Sequence, residues 1–79
     1  MENIYAHLNS IASISNVNLT QIDNLKFKIV LFGDLMETYF QLGRIQTDLK
    51  ECCEQNGYVL KTILGDGQDA VFEIKAKEE

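Results

Sequence analysis

Hydrophobic residues recur along this chain with two different spacings, and the spacings predict an order of helices and strands. Residues 2–15 place apolar side chains three or four positions apart, which is typical of an amphipathic helix. Ser15 and Asn16 follow, and we expect them to end this helix because their side chains compete for backbone hydrogen bonds. The apolar positions are Ile4, Leu8 and Ile11, followed by Ala12 or Ile14.

Four short segments are alternating or continuously apolar, which predicts β-strands. They are residues 17–22, 26–32, 58–64 and 70–76. The second segment is apolar on both sides in its last half, as expected of a central strand. The sequences DNLK and GDGQD separate the members of each pair. Because both are rich in residues that turns favour, they predict two β-hairpins.

The longest periodic segment, residues 35–56, predicts a second amphipathic helix. Before it, Gly33 allows a sharp turn, and Asp34 precedes Glu37 by the three residues of a capping box. A phosphate-binding loop would need several glycines at set spacing, so we interpret this corner as a helix start. The predicted core stripe of the helix contains Leu35, Tyr39, Leu42, Ile45, Leu49 and Cys53.

The predicted order α-β-β-α-β-β indicates an α+β fold in one domain that spans residues 1–79. Two amphipathic helices are buried most economically on one face of a four-stranded antiparallel sheet, which gives a two-layer sandwich. This layout is a circular permutation of the ferredoxin-like fold. The analogy predicts the strand order 3-4-2-1, with the strands at 26–32 and 70–76 in the middle of the sheet.

Charge and hydropathy exclude several classes of partner. The 79-residue chain has a net charge of −5, and its seven basic residues form no stripe. Nucleic acids and anionic membrane surfaces are recognised by converging basic residues, so we expect neither as a partner. The chain contains no apolar run of membrane-spanning length and no signal peptide. If Met1 is the native start we expect a cytoplasmic protein. If Met1 was added, the chain is the soluble part of a longer protein.

No group of residues in the sequence predicts catalysis, a metal site or a cofactor. His7 is the only histidine, and Cys52 and Cys53 are adjacent. Neighbouring helical side chains point about 100° apart, so we expect two buried free thiols rather than a disulfide or zinc pair. Asp66 and Asp69 lack the acid spacing of a calcium loop. We therefore predict a protein that is not an enzyme and has no small-molecule substrate.

Apolar residues that the predicted helices do not cover indicate a surface for protein partners. Val30, Phe32 and Val71 are predicted to lie on the sheet face away from the helices. Phe40 lies about 160° from the core stripe of the second helix, with Met36 one turn before it. Apolar patches left exposed in this way mark interaction sites. We predict that these five residues form an interface.

The segment KIVLFGDLMETYFQLGRIQTDL, which crosses from strand into helix, resembles the periplasmic domains of inner-membrane assembly-platform proteins. These proteins belong to type IV pili and type II secretion systems. The resemblance is carried by the apolar strand 29–32, by Gly33, and by Tyr39 and Phe40 near the helix start, with YVLKTIL and AVFEIKA as a closing hairpin. It implies a non-catalytic scaffold that forms homodimers or heterodimers on the extracytoplasmic side of the inner membrane. The family's membrane helix and coiled segment are not within these 79 residues, and paired cysteines are not a family feature.

Two other interpretations remain open. One is a free-standing cytoplasmic module of ferredoxin-like fold that binds a small ligand or regulates a partner. The other is a small sulfur carrier, because ECCEQNGYVLKTILGDGQDAVFEIKAK resembles small sulfur-transfer proteins. That family has a Cys-Pro element at the start of its first helix, whereas this chain has no proline.

Overall fold

The computed structural model describes residues 2–65 and 68–77, which form two helices and a four-stranded antiparallel sheet in an α+β fold. The predicted order of elements is confirmed, but the first helix ends earlier than expected. No helix within these ranges is long and apolar enough to cross a membrane. The elements are α1 (Glu2–Ala12), β1 (Val17–Asp23), β2 (Lys26–Leu31), α2 (Leu35–Gln55), β3 (Tyr58–Leu64) and β4 (Asp69–Ala76).

The strands are arranged in the order β1-β2-β4-β3, so β2 and β4 are central. This is the predicted order 3-4-2-1 read from the opposite edge. In the register of the central pair, Phe27 lies opposite Phe72, whereas Lys28 lies opposite Val71. Successive side chains of a strand point to opposite faces, so the first pair belongs to the buried face and the second to the other face. Residues 66–67 of the predicted GDGQD turn lie outside the described residues.

One buried cluster contains side chains from both helices and from three of the strands. The prediction for α1 is confirmed at Ile4, Leu8 and Ile11, but Ile14 is exposed because the helix has already ended at Ala12. The other members of the cluster are Val17, Phe27, Ile29, Leu31, Leu42, Ile45, Leu49, Cys53, Ala70, Phe72 and Ile74.

The predicted core stripe of α2 is wrong in its first turns. Leu35 and Tyr39 are exposed, whereas Thr38 is only 1% exposed. Leu35 has the correct angular position, but the buried residues of α2 begin at Thr38, so the first turn of the helix projects past the end of the core. A helical wheel reports direction alone and takes no account of where the packed neighbours stop.

The corner between β2 and α2 has the structural role expected from its sequence. Gly33 has a φ of +129°, which favours glycine, and the Asp34 carboxylate accepts a hydrogen bond from the Glu37 backbone N–H at 3.2 Å. The buried Thr38 hydroxyl lies 3.0 Å from the Asp34 carbonyl oxygen. Gln68 immediately precedes β4, and its side-chain amide donates to the Gly33 carbonyl at 2.9 Å and to the Thr38 hydroxyl at 3.1 Å.

A second set of hydrogen bonds holds the corner from the side of α1. The Asn16 amide donates to Gln41 Oε1 at 2.8 Å, and the Gln41 amide donates back to Asn16 Oδ1 at 3.0 Å. Asn16 Nδ2 also lies 3.0 Å from the Phe32 carbonyl oxygen. Contacts from two distant parts of the chain therefore set the position of the first turns of α2.

Candidate protein-interaction site at the start of α2

Four large apolar side chains are exposed together on the first two turns of α2. Leu35 is 62% exposed, Met36 70%, Tyr39 65% and Phe40 65%. They line one shallow depression together with Asp34, the cap of the helix. We call these four residues the α2 patch. Single exposed apolar residues are ordinary on protein surfaces, but a contiguous group of this size marks an interaction site.

The two aromatic rings of the α2 patch support each other. The ring centroids of Tyr39 and Phe40 are 6.1 Å apart with an interplanar angle of 77°, an edge-to-face arrangement. Aromatic rings favour this geometry because the positive edge of one ring meets the negative face of the other. Aromatic side chains also have few rotatable bonds, so they lose little conformational entropy when a partner covers them.

Charged residues flank the α2 patch on one side. Phe40 borders a groove that also includes Ile14, Glu37 and Arg44. Within the part of the chain that the structure describes, neither Glu37 nor Arg44 forms an ion pair; the pairs found there include those of Glu73 with Lys26 and Lys75. Asp48 lines the same groove, so this side of the α2 patch presents one positive and two negative groups to an incoming surface.

On the other side, the α2 patch continues toward the end of β3. Tyr39 borders a groove that includes Gly43 and Leu64, and Leu64 is exposed. Gly43 lies in the middle of α2, and a Cβ built on it meets nothing within 4 Å. The packing within the chain therefore does not explain a glycine at this position.

The structure places the five predicted interface residues in three separate locations. Met36 and Phe40 belong to the α2 patch, and Phe32 is exposed just after the end of β2. Val30 and Val71 are half-buried on the sheet face opposite the core. The prediction missed Leu35 and Tyr39, whose helical spacing had placed them in the core.

The sheet face that carries Val30 and Val71 is strongly charged. Glu73 lies 3.0 Å from Lys75 Nζ and 3.8 Å from Lys26 Nζ. The hydrogen bond from Lys75 is the main cause that holds the pKa of Glu73 below its ordinary value, and the charges of Lys75, Lys26 and Lys61 lower it further. Lys28 lies opposite Val71 and Asp69 lies opposite Val30, so charged residues adjoin both valines. This face is therefore a weaker candidate for apolar contact than the α2 patch.

The cysteines and the histidine show no arrangement for thiol or metal chemistry. Cys53 is a buried free thiol, as predicted, and burial followed by the charges of Cys52 and Glu54 raises its pKa to about 11. Cys52 is only half-buried, which corrects the prediction, because it lies at the edge of the core with its Sγ 3.6 Å from the Asn3 carbonyl oxygen.

Within residues 2–65 and 68–77, no three His, Cys, Asp or Glu side chains form a metal-binding group. His7 Nε2 is buried without a hydrogen bond. The Asp66 considered for a cation lies outside the described residues.

A scan against protein-family models, a search of curated proteins and a search of solved structures each returned no match to this chain. The α2 patch and the residues that hold it are therefore the physical basis for a functional proposal.

Proposed function

We propose that this chain is a non-catalytic scaffold that binds other protein chains through the α2 patch. The observation that carries the proposal is the exposure of four neighbouring large apolar side chains, each more than 60% accessible to water. Covering apolar surface is favourable by roughly 25 cal/mol per Å². Covering the α2 patch with a partner therefore stabilises the complex relative to the separate chains.

The hydrogen bonds around the patch favour binding because they fix it in advance. Gln68 joins the corner before α2 to the start of β4, and Asn16 joins α2 to the connection after α1. A site that is already ordered loses less conformational entropy when a partner docks. The α2 patch thus resembles a preformed binding surface more than a mobile loop.

The finer architecture belongs to the same proposal. The strand order β1-β2-β4-β3 and the shared buried cluster support a circularly permuted ferredoxin-like sandwich with both helices on one face. With the resemblance described above, this layout supports a role as a homodimeric or heterodimeric scaffold in type IV pilus or type II secretion assembly. On this proposal the chain lies on the extracytoplasmic side of the inner membrane and meets the membrane through an N-terminal anchor.

The alternative is a cytoplasmic regulatory or adaptor module of the same fold that uses the same patch. Cell fractionation of the natural protein distinguishes the two. Recovery with the inner membrane supports the assembly scaffold, and recovery in the cytosolic fraction supports the adaptor. Neither outcome alters the expectation that the α2 patch is the binding surface.

Site-specific photo-cross-linking in the cells that produce the protein tests the binding surface directly. A photo-reactive amino acid at position 36 should form covalent adducts with protein, and one at position 20 on the charged sheet face should not. Phe40→Ser should abolish the adducts from position 36, whereas the matched surface change Lys28→Ser should leave them intact. Equal adduct yields from positions 36 and 20, or none from either, would contradict the proposal.

A further inference from the structure

The outer face of α2 carries a seam of apolar and small residues opposite the buried stripe of the helix. The seam consists of Met36, Phe40, Gly43 and Thr47, all of which are exposed. Their spacing of four, three and four residues is the spacing at which two packed helices meet. The seam starts in the α2 patch and continues for about three turns along the helix.

Gly43 leaves a gap in this seam because glycine has no side chain. Glycine in a helix interior is unfavourable relative to alanine, and nothing within 4 Å of its Cβ position requires the smaller residue. A gap in a helical seam can receive a large side chain from a facing helix. Phe40, one turn earlier on the same seam, is a side chain of suitable size, and it is 65% exposed.

A second copy of α2 that runs antiparallel would both fill the gap at Gly43 and cover the exposed Phe40. With a two-fold axis between positions 40 and 43, each Phe40 ring lies against Gly43 of the other copy, and each Met36 lies against Thr47. A two-fold contact of this kind uses the same surface on both chains and closes on itself. A parallel, in-register pair would instead place Phe40 against Phe40 and Gly43 against Gly43.

The charges beside the seam fit the antiparallel direction. Glu37 and Arg44 lie on the same flank of the seam, seven residues or about 10 Å apart. Neither has an ionic partner in the part of the chain that the structure describes. In the antiparallel pair Glu37 of each copy lies opposite Arg44 of the other, which produces two reciprocal ion pairs. Charge patterns on such flanking positions set the orientation and the partner of paired helices.

The available area is sufficient for a specific but weak dimer. Each of the four patch residues is about two-thirds exposed. If each side chain has about 200 Å² to bury, as aromatic ones do, the patch offers at most about 500 Å² per copy and about 1,000 Å² in a dimer. Leu35 and Tyr39, which lie beside the seam, supply half of this upper limit. Specific interfaces begin near this total, and weak or transient ones occupy this low end of the range.

We infer that the occupant of the α2 patch is a second copy of this chain, docked as an antiparallel α2 pair with Phe40 against Gly43 and Glu37 against Arg44. The inference rests on the proposed function and specifies its partner. The interface joins two folded chains, so the core of each copy is unchanged.

A charge swap on the full chain tests this geometry. The natural chain should show a mass in light scattering that rises with concentration from 9.0 kDa toward twice that value. Glu37→Arg and Arg44→Glu should each weaken the dimer about tenfold, because each exposed pair contributes modestly and each substitution alters two pairs. The double variant should recover the natural dissociation constant because it exchanges the charges without removing either pair. Circular dichroism on all four proteins provides the control for folding.

The possible outcomes separate this inference from the proposed function. If neither single variant weakens the dimer, or if the double variant does not restore it, the antiparallel geometry is wrong. A natural chain that stays monomeric overturns the inference, while adducts of foreign mass at position 36 would retain the proposed function. A monomer without any adduct overturns both.

Discussion

Replacing Gly43 by alanine should stabilise the monomer and weaken the dimer, two effects of opposite sign from one methyl group. Gly43 lies within α2, and a Cβ at this position meets no atom within 4 Å, so the methyl group causes no clash in the folded chain. Alanine is favoured over glycine in a helix interior by about 1 kcal/mol. For a domain of this size, such a gain raises the melting temperature by about 4–8 °C.

The same methyl group would fill the gap that receives Phe40 of the second copy. Overpacking a tight contact costs about 1–3 kcal/mol, so we expect the dimer to dissociate at least about tenfold more readily. Thermal unfolding followed by circular dichroism at low protein concentration measures the monomer. Light scattering across a concentration series measures the dimer on the same samples.

Gly57→Ala is the matched control. Gly57 also has open space around its Cβ position, but its φ of +80° lies in the left-handed region that disfavours alanine. We therefore expect Gly57→Ala to destabilise the chain by about 1–2 kcal/mol. A lower melting temperature for Gly43→Ala would refute the reasoning about the helix. A stabilised chain with an unchanged dimer would refute the proposed seam.

Three further predictions concern the parts of the molecule around the patch. Asn16→Ala should lower the free energy of unfolding in urea by about 1–3 kcal/mol, because it leaves the Gln41 amide and the Phe32 carbonyl without their partner. Asn16 and Gln41 should therefore be energetically coupled, and fully additive losses for Asn16→Ala and Gln41→Ala in a double-mutant cycle would contradict this. A thiol reagent at neutral pH should label Cys52 first and Cys53 only on unfolding, because Cys53 is buried and burial raises its pKa to about 11; equal labelling rates in the native protein would exclude this. Because the folded pKa of Glu73 is depressed, its carboxylate stabilises the fold above its unfolded pKa, and this contribution disappears as the pH falls through the folded pKa. Glu73→Gln should therefore lower stability at neutral pH and have little effect in acid, and a constant difference across that range would argue against the ion pairs.

The sequence by itself determined the elements and most of the core. Hydrophobic spacing distinguished helices from strands, and the four strand positions agree with the structure to within one residue at each end. The cap at Asp34 was also readable because capping depends on a few neighbouring residues. The strand order was predicted by analogy with the ferredoxin-like fold, an analogy that the element order suggested because few topologies bury two amphipathic helices against one sheet. At the interaction site, Met36 and Phe40 were predicted because their direction alone excludes them from the core.

Only the tertiary structure decided which apolar residues stay in water. Leu35 and Tyr39 follow the helical period of a core stripe, yet both are exposed. The buried residues of α2 begin only at Thr38, one turn after Leu35. Beside Tyr39, the core positions are filled by Thr38 and Leu42. The amide pair between Asn16 and Gln41 joins residues 25 positions apart, and local sequence contains no signal for such a contact. These long-range contacts hold the first turns of α2 in place, with the α2 patch facing away from the core. Periodicity gives the direction of a side chain, whereas its burial depends on which other parts of the chain the fold packs against it.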